Sequence, residues 1–106
     1  RRWAEAHPDD PQIWNQLAWS IVDPDAPALR SHAQVGLEAA RRAVELSEDP
    51  QLLDTLAWAL CWTGAGDEAR AIAQEALSGA EEAGNAELST ALRKSLERLE
   101  LELAKS

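Results

Sequence analysis

The sequence predicts an all-α domain made of antiparallel helix-hairpin repeats. Three observations predict it: a ten-residue phrase that occurs twice, apolar residues spaced for helical faces, and an apolar composition dominated by alanine and leucine. The chain has 106 residues, 45% of them hydrophobic, which is a sensible size for one domain with a usable core and too apolar for disorder. β-Branched residues are scattered and never alternate over a run, so strands are not expected.

The repeated phrase is Asp10-Pro11-Gln12-Ile13-Trp14-Asn15-Gln16-Leu17-Ala18-Trp19. It returns 39 residues later as Asp49-Pro50-Gln51-Leu52-Leu53-Asp54-Thr55-Leu56-Ala57-Trp58, with six of ten positions identical. Each copy carries a helix-start signal. The carboxylates of Asp10 and Asp49 can accept from the first backbone N–H groups, and Pro11 and Pro50 fall in the first turn, where a missing N–H costs nothing. The first helix is expected to end near Val22, before the two prolines of Asp23-Pro24-Asp25-Ala26-Pro27. The second is expected to end at Gly64, a residue suited to a left-handed C-terminal position.

A second helix follows each of these. In the first copy it includes residues 36–46, and in the second residues 67–77, where Ala69, Ile72, Ala73, Ala76 and Leu77 share one face. Small residues recur at matching places, Gly36, Ala40 and Ala43 and then Ala69, Ala73 and Ala76, and allow close helix packing. The second helices are offset by only 33 residues, so the first copy holds six extra residues, read as an enlarged loop at 23–32. After Gly84 a last helix is expected, capped by Asn85, with Leu88, Leu92, Leu96, Leu99 and Leu103 in one stripe and charged residues between them. It reads as the cap that closes an exposed repeat core.

The organisation is then a single domain over 1–106: the end of a preceding helix at 1–8, a first repeat at 9–47, a second at 48–82 and the cap at 84–105. Trp3 and Ala4 would pack on the first repeat. The chain begins Arg1-Arg2-Trp3 without an initiator Met, and a piece of a longer protein is expected.

With these residues in place, the sequence resembles the tetratricopeptide repeat family. Leu53, Leu56, Ala57, Leu60, Gly64, Ala69, Ala73 and Ala76 fall at the spacing of its signature. Trp14, Leu17, Ala18, Ile21, Gly36, Ala40 and Ala43 do so in the first copy, interrupted by the inserted loop. The chain departs from the pattern at Gly66, where the family usually has an aromatic residue, and at Ala40 and Ala73, where a bulky one is common. The phrase from Asp54 to Leu60 is similar to repeats of bacterial multidomain proteins. The resemblance implies a short right-handed superhelical solenoid whose concave face holds an extended peptide or a helix.

At 100° per residue, Ile13, Trp14, Leu17, Ala18 and Ile21 form the inner side of the first helix, with Gln12, Asn15, Trp19 and Val22 roughly opposite. Gln51, Asp54, Trp58 and Cys61 repeat that opposite face, with Trp62 beside them. The resemblance places this face in the concave groove. The candidate partner-binding residues are therefore Gln12, Asn15, Trp19, Gln51, Asp54, Trp58 and Trp62, with Trp19 and Trp58 as the floor. The alternative is that Trp19 and Trp58 are buried between helices. Trp14 is expected in the core, and Trp62 under the last helix. Family members that grip a C-terminal carboxylate use asparagines and basic residues in the groove. Here Gln16 and Thr55 stand at those asparagine places, and neither groove helix carries a base, so that mode is not expected.

Charge and chemistry narrow the function. The formal net charge of -9 disfavours nucleic acid and anionic membranes, and suits a neutral or basic protein or peptide. No apolar stretch reaches the roughly 20 residues of a membrane span. Cys61 is the single cysteine, so it forms no internal disulfide, is expected as a small buried hydrophobe, and fits a reducing, cytoplasmic setting. His7 and His32 have no partners at metal-ligand spacing, the glycines form no phosphate-cradling loop, and no nucleophile–base set assembles. No cofactor, no metal and no enzymatic activity are expected. The expected function is a non-catalytic protein-binding scaffold module. The alternative is a structural or oligomerisation domain that docks on its parent protein or on a second copy.

Overall fold

In a computed structural model, residues 10–105 are described, and they form five α-helices and one 3₁₀-helix with no strand among them. The helices are α1 (Pro11–Val22), α2 (Ala33–Leu46), α3 (Pro50–Trp62), α4 (Gly66–Glu82) and α5 (Ala86–Ala104), with the 3₁₀-helix at Pro27–His32. The expected helix remnant at 1–8, with Trp3, Ala4 and His7, lies outside the described residues.

Local chemistry sets the helix ends. Asp10 and Asp49 each accept the N–H of the residue two positions on, Gln12 and Gln51, at 2.9 Å. Asn85 accepts the Leu88 N–H at 3.0 Å. Each such cap is worth about 1 kcal/mol. At the other ends, Gly64 and Gly84 take positive φ of 91° and 72°. That turn lets Ala65 N–H reach the Leu60 carbonyl and Asn85 N–H reach that of Ala80, which satisfies carbonyls the helix leaves open.

Packing then assembles two hairpins and a closing helix. α1 pairs with α2 and α3 with α4; α2 lies against α3 and α4 against α5. The first helices also touch in series, α1 on α3 and α3 on α5. Gly36 on α2 permits the closest of these approaches, because a Cβ there would sit 2.7 Å from a Val22 methyl. α3 lies in the middle and buries eight residues, among them Leu52, Leu56 and Leu60. Each such leucine contributes about 1.5–3 kcal/mol by leaving water. α5 sends Leu92 and Leu99 into the core from the expected stripe, with Leu88, Leu96 and Leu103 half-buried.

Three expectations are corrected. The stretch read as an enlarged loop at 23–32 is in part helical: the 3₁₀-helix Pro27–His32 runs straight into α2 at Ala33. Trp14 is not sealed in the core; it packs on the core's flank, facing a depression it shares with Leu17, Val35, Glu38, Ala39, Arg42 and Glu45. Val22, assigned to the outward face of α1, is fully buried, since α2 approaches it across Gly36. No described helix is long and apolar enough to cross a membrane.

Candidate functional site

The first helices α1, α3 and α5 lie side by side, and a trough runs across them. Its larger depression, about 330 Å³, is lined by Asn15 and Trp19 from α1, Gln51, Asp54 and Thr55 from α3, and Leu88, Ala91 and Leu92 from α5. A second depression of about 240 Å³ shares Trp19, Asp54 and Ala91 and continues over Trp58, Ser95, Lys94 and Arg98 to Asp23, Pro24 and Asp25. Repeat-equivalent positions thus face one surface, as the spacing predicts: Asn15 and Asp54 are 39 apart, as are Trp19 and Trp58.

The two tryptophans at the equivalent positions do different things. Trp19 is half-buried and lines both depressions. Trp58 is 1% exposed, so it is not an open floor and takes the alternative, burial between helices. Its indole N–H donates to the Ser95 hydroxyl at 2.9 Å, and that hydroxyl donates to Asp54 Oδ1 at 2.6 Å. This relay joins α3 to α5 and gives a buried N–H the partner it requires. Burial pushes the Asp54 carboxyl above the ordinary carboxylate range, and the Ser95 hydrogen bond opposes part of that rise.

Trp62 is held by the end of α1 and by the 3₁₀-helix. Its N–H donates to the Val22 carbonyl at 2.8 Å, at the end of α1. The Arg30 guanidinium of the 3₁₀-helix lies 3.8 Å above its ring. Trp58 and Trp62 contact each other, centroids 5.4 Å apart. Trp62 therefore lines neither depression of the trough and serves to hold the inserted stretch down.

The remaining predicted residues divide similarly. Gln12 is exposed and does not line the trough, whereas Gln51 is exposed and does. The Asn15 Oδ1 atom is buried with no hydrogen-bond donor. Gln16 is exposed, and Thr55 is buried with its hydroxyl donating to the Gln51 carbonyl. Cys61 is half-buried, and burial, with Glu102 adding to it and Arg30 opposing, pushes its thiol up to about 11.

Several trough residues escaped the sequence reading. Ala91, Ser95 and Arg98 fall at i, i+4 and i+7 on α5, a face set aside as wet because the leucine stripe claimed the other side. Arg98 donates to Asp25 at 2.6 Å and closes that end, its guanidinium holding the Asp25 carboxyl below the ordinary range. Among the described residues, no three His, Cys, Asp or Glu gather as metal ligands. Comparison with protein-family models, with curated proteins and with solved structures finds no match.

Proposed function

We propose that this chain is a non-catalytic protein-interaction module that holds a neutral or basic peptide in the trough across α1, α3 and α5. The observation that carries the reading is the trough itself, where half-buried Trp19 and the amide of Asn15 face the same surface as Asp54. A large amphipathic ring beside a few polar groups is the usual make-up of a binding hot spot. We read the two hairpins as tetratricopeptide-like, stacked in a right-handed solenoid within a longer, bacterial chain. The duplicated signature and the serial packing of α1, α3 and α5 support that arrangement. The protonated thiol of Cys61, with its pKa near 11, supports a binding role over nucleophilic chemistry and sits comfortably in a reducing cytoplasm.

The test is selection of a random dodecapeptide library on the full chain, followed by mapping of an enriched peptide through amide and indole NMR shifts. Shifts should centre on Asn15, Trp19, Gln51 and Ala91. Shifts centred on the opposite side, around Glu38 and Gln74, or a library that enriches nothing, remove the reading. One observation favours the second reading, docking on another copy: Leu101 on α5 is 66% exposed. Sedimentation over a hundredfold concentration range decides it, since a dimer built there dissociates in Leu101→Lys.

A further inference from the structure

We infer that the Asn15–Asp54 end of the trough receives the side chain of one lysine or arginine from the bound peptide. This deepens the reading above and rests on it. Among the residues that line the larger depression, Asp54 is the one ionisable group. A carboxylate offers about four lone-pair sites. Only the Ser95 hydroxyl donates to Asp54 among the described contacts, and no cation among the described residues is paired with it. Asn15 brings a second acceptor, the buried Oδ1 that has no donor. Its amide can present either its oxygen or its nitrogen by a half-turn of the terminal torsion. Two under-used acceptors in one depression call for a ligand rich in donors, and ammonium and guanidinium groups carry donors and nothing else.

The walls suit the rest of such a side chain. Half-buried Trp19 and Leu88 give an apolar flank for methylenes, and the indole face attracts a cation. About 330 Å³ lies at the low end of small-ligand pockets, room for a side chain more than for a cofactor. The neighbouring depression sets the direction. Asp23, Asp25, Lys94 and Arg98 line it with the shared Asp54, and Arg98 is already bound to Asp25. There the two bases match Asp23 and Asp25 in number, so a cationic side chain gains most on the side of Asp54 where no base lines the depression. Burial already raises the Asp54 pKa, and an incoming cation offsets the cost of the charged form there.

The experiment selects the random dodecapeptide library on three full-length chains: the parent, Asp54→Asn and Glu75→Gln. The amide introduced by Asp54→Asn still accepts the Ser95 hydrogen bond, so the fold is kept, which circular dichroism checks. Glu75 is exposed on α4, and its replacement removes the same charge elsewhere. In 0.15 M salt, the parent and Glu75→Gln should enrich lysine plus arginine at a single peptide position, roughly tenfold over the library. Asp54→Asn should lose that preference, and Asn15→Leu should weaken it. Trough-bound peptides without the preference, or a preference that survives Asp54→Asn or falls equally in Glu75→Gln, overturn the inference and leave the binding module standing. Failure to enrich any peptide, or enrichment on another face, overturns both.

Discussion

Trp19 and Trp58 occupy the same place in the repeated phrase, yet their removal should have very different costs. Trp58 is 1% exposed and its N–H is held by Ser95. Truncating a sealed tryptophan to alanine costs about 3–5 kcal/mol in lost transfer energy and cavity. The Ser95 hydroxyl also loses its donor, adding about 1 kcal/mol. Trp58→Ala should therefore destabilise by about 4–6 kcal/mol, a large share of the roughly 5–15 kcal/mol typical of a native domain. Trp19 lines open depressions, so water refills the space and the cavity penalty mostly disappears. Trp19→Ala should cost about 1–2 kcal/mol. Urea unfolding followed by circular dichroism measures both. With a slope of about 2 kcal/mol/M, Trp58→Ala shifts the midpoint down by about 2–3 M and Trp19→Ala by at most about 1 M. Equal shifts, or a loss below about 1 kcal/mol for Trp58→Ala, would refute the distinction between a sealed and an open tryptophan. The library selection adds the complement: Trp19→Ala should lose most peptide binding while it remains folded.

Gly36→Ala and Gly66→Ala should move stability in opposite directions. At Gly36 the new methyl meets a fully buried Val22 at 2.7 Å, and overpacking of about 1–3 kcal/mol outweighs the roughly 1 kcal/mol gained in helix propensity. At Gly66 it meets only the flexible end of Leu103 at 3.0 Å, so thermal melting should show no loss or a small gain; a loss at Gly66 larger than at Gly36 contradicts the packing described. The Asp54 carboxyl has its folded pKa raised above the 3.8 of a free aspartate, so the folded state binds more protons and stability is lost as pH rises from about 4 through the raised value. Comparing urea midpoints of the parent and Asp54→Asn between pH 3 and pH 7 should show the parent losing ground as pH climbs, and a relative gain would exclude a buried, weakly paired carboxyl. Iodoacetamide should alkylate Cys61 slowly at pH 8 and faster as pH approaches the thiol pKa of about 11; modification at the rate of a free thiol at pH 8 contradicts its burial.

The features legible in the sequence are those decided within a few residues. Asp10, Asp49 and Asn85 cap their helices because a side chain reaches a backbone N–H two or three positions away. Gly64 and Gly84 take left-handed backbone where the helices stop. The shared face of Asn15, Trp19 and Asp54 follows from helical geometry and the 39-residue repeat. The features that escaped depend on partners distant in the chain. Trp58 is buried because Ser95, 37 residues later, meets its indole. Trp62 is covered by Arg30 because the inserted prolines bend a 3₁₀-helix over it, and no periodicity foretells where an inserted segment lands. Val22 is buried because a glycine on the next helix lets the backbone come close.

The asymmetry of the trough comes from that same inserted segment. Two identical repeats would present like residues along the whole surface. Instead, residues 23–25 turn toward α5, where Asp25 meets Arg98 across 73 positions of sequence, and bring Asp23 and Pro24 to the rim. That pairing occupies Arg98 of α5 at one end. The opposite end keeps an unpaired carboxylate and an amide oxygen without a donor. A surface with a carboxylate already taken by a base at one end and under-used acceptors at the other can orient an extended ligand, since reversing the ligand places its cation where Arg98 holds Asp25. Arg98→Ala tests this directly. The exposed ion pair itself contributes little to stability, so melting should barely change. The positional preference for lysine or arginine in selected peptides should blur as the freed Asp25 offers a cation a second place. A preference that stays equally sharp would mean that Asp54 alone sets the register and that the inserted segment has no part in it.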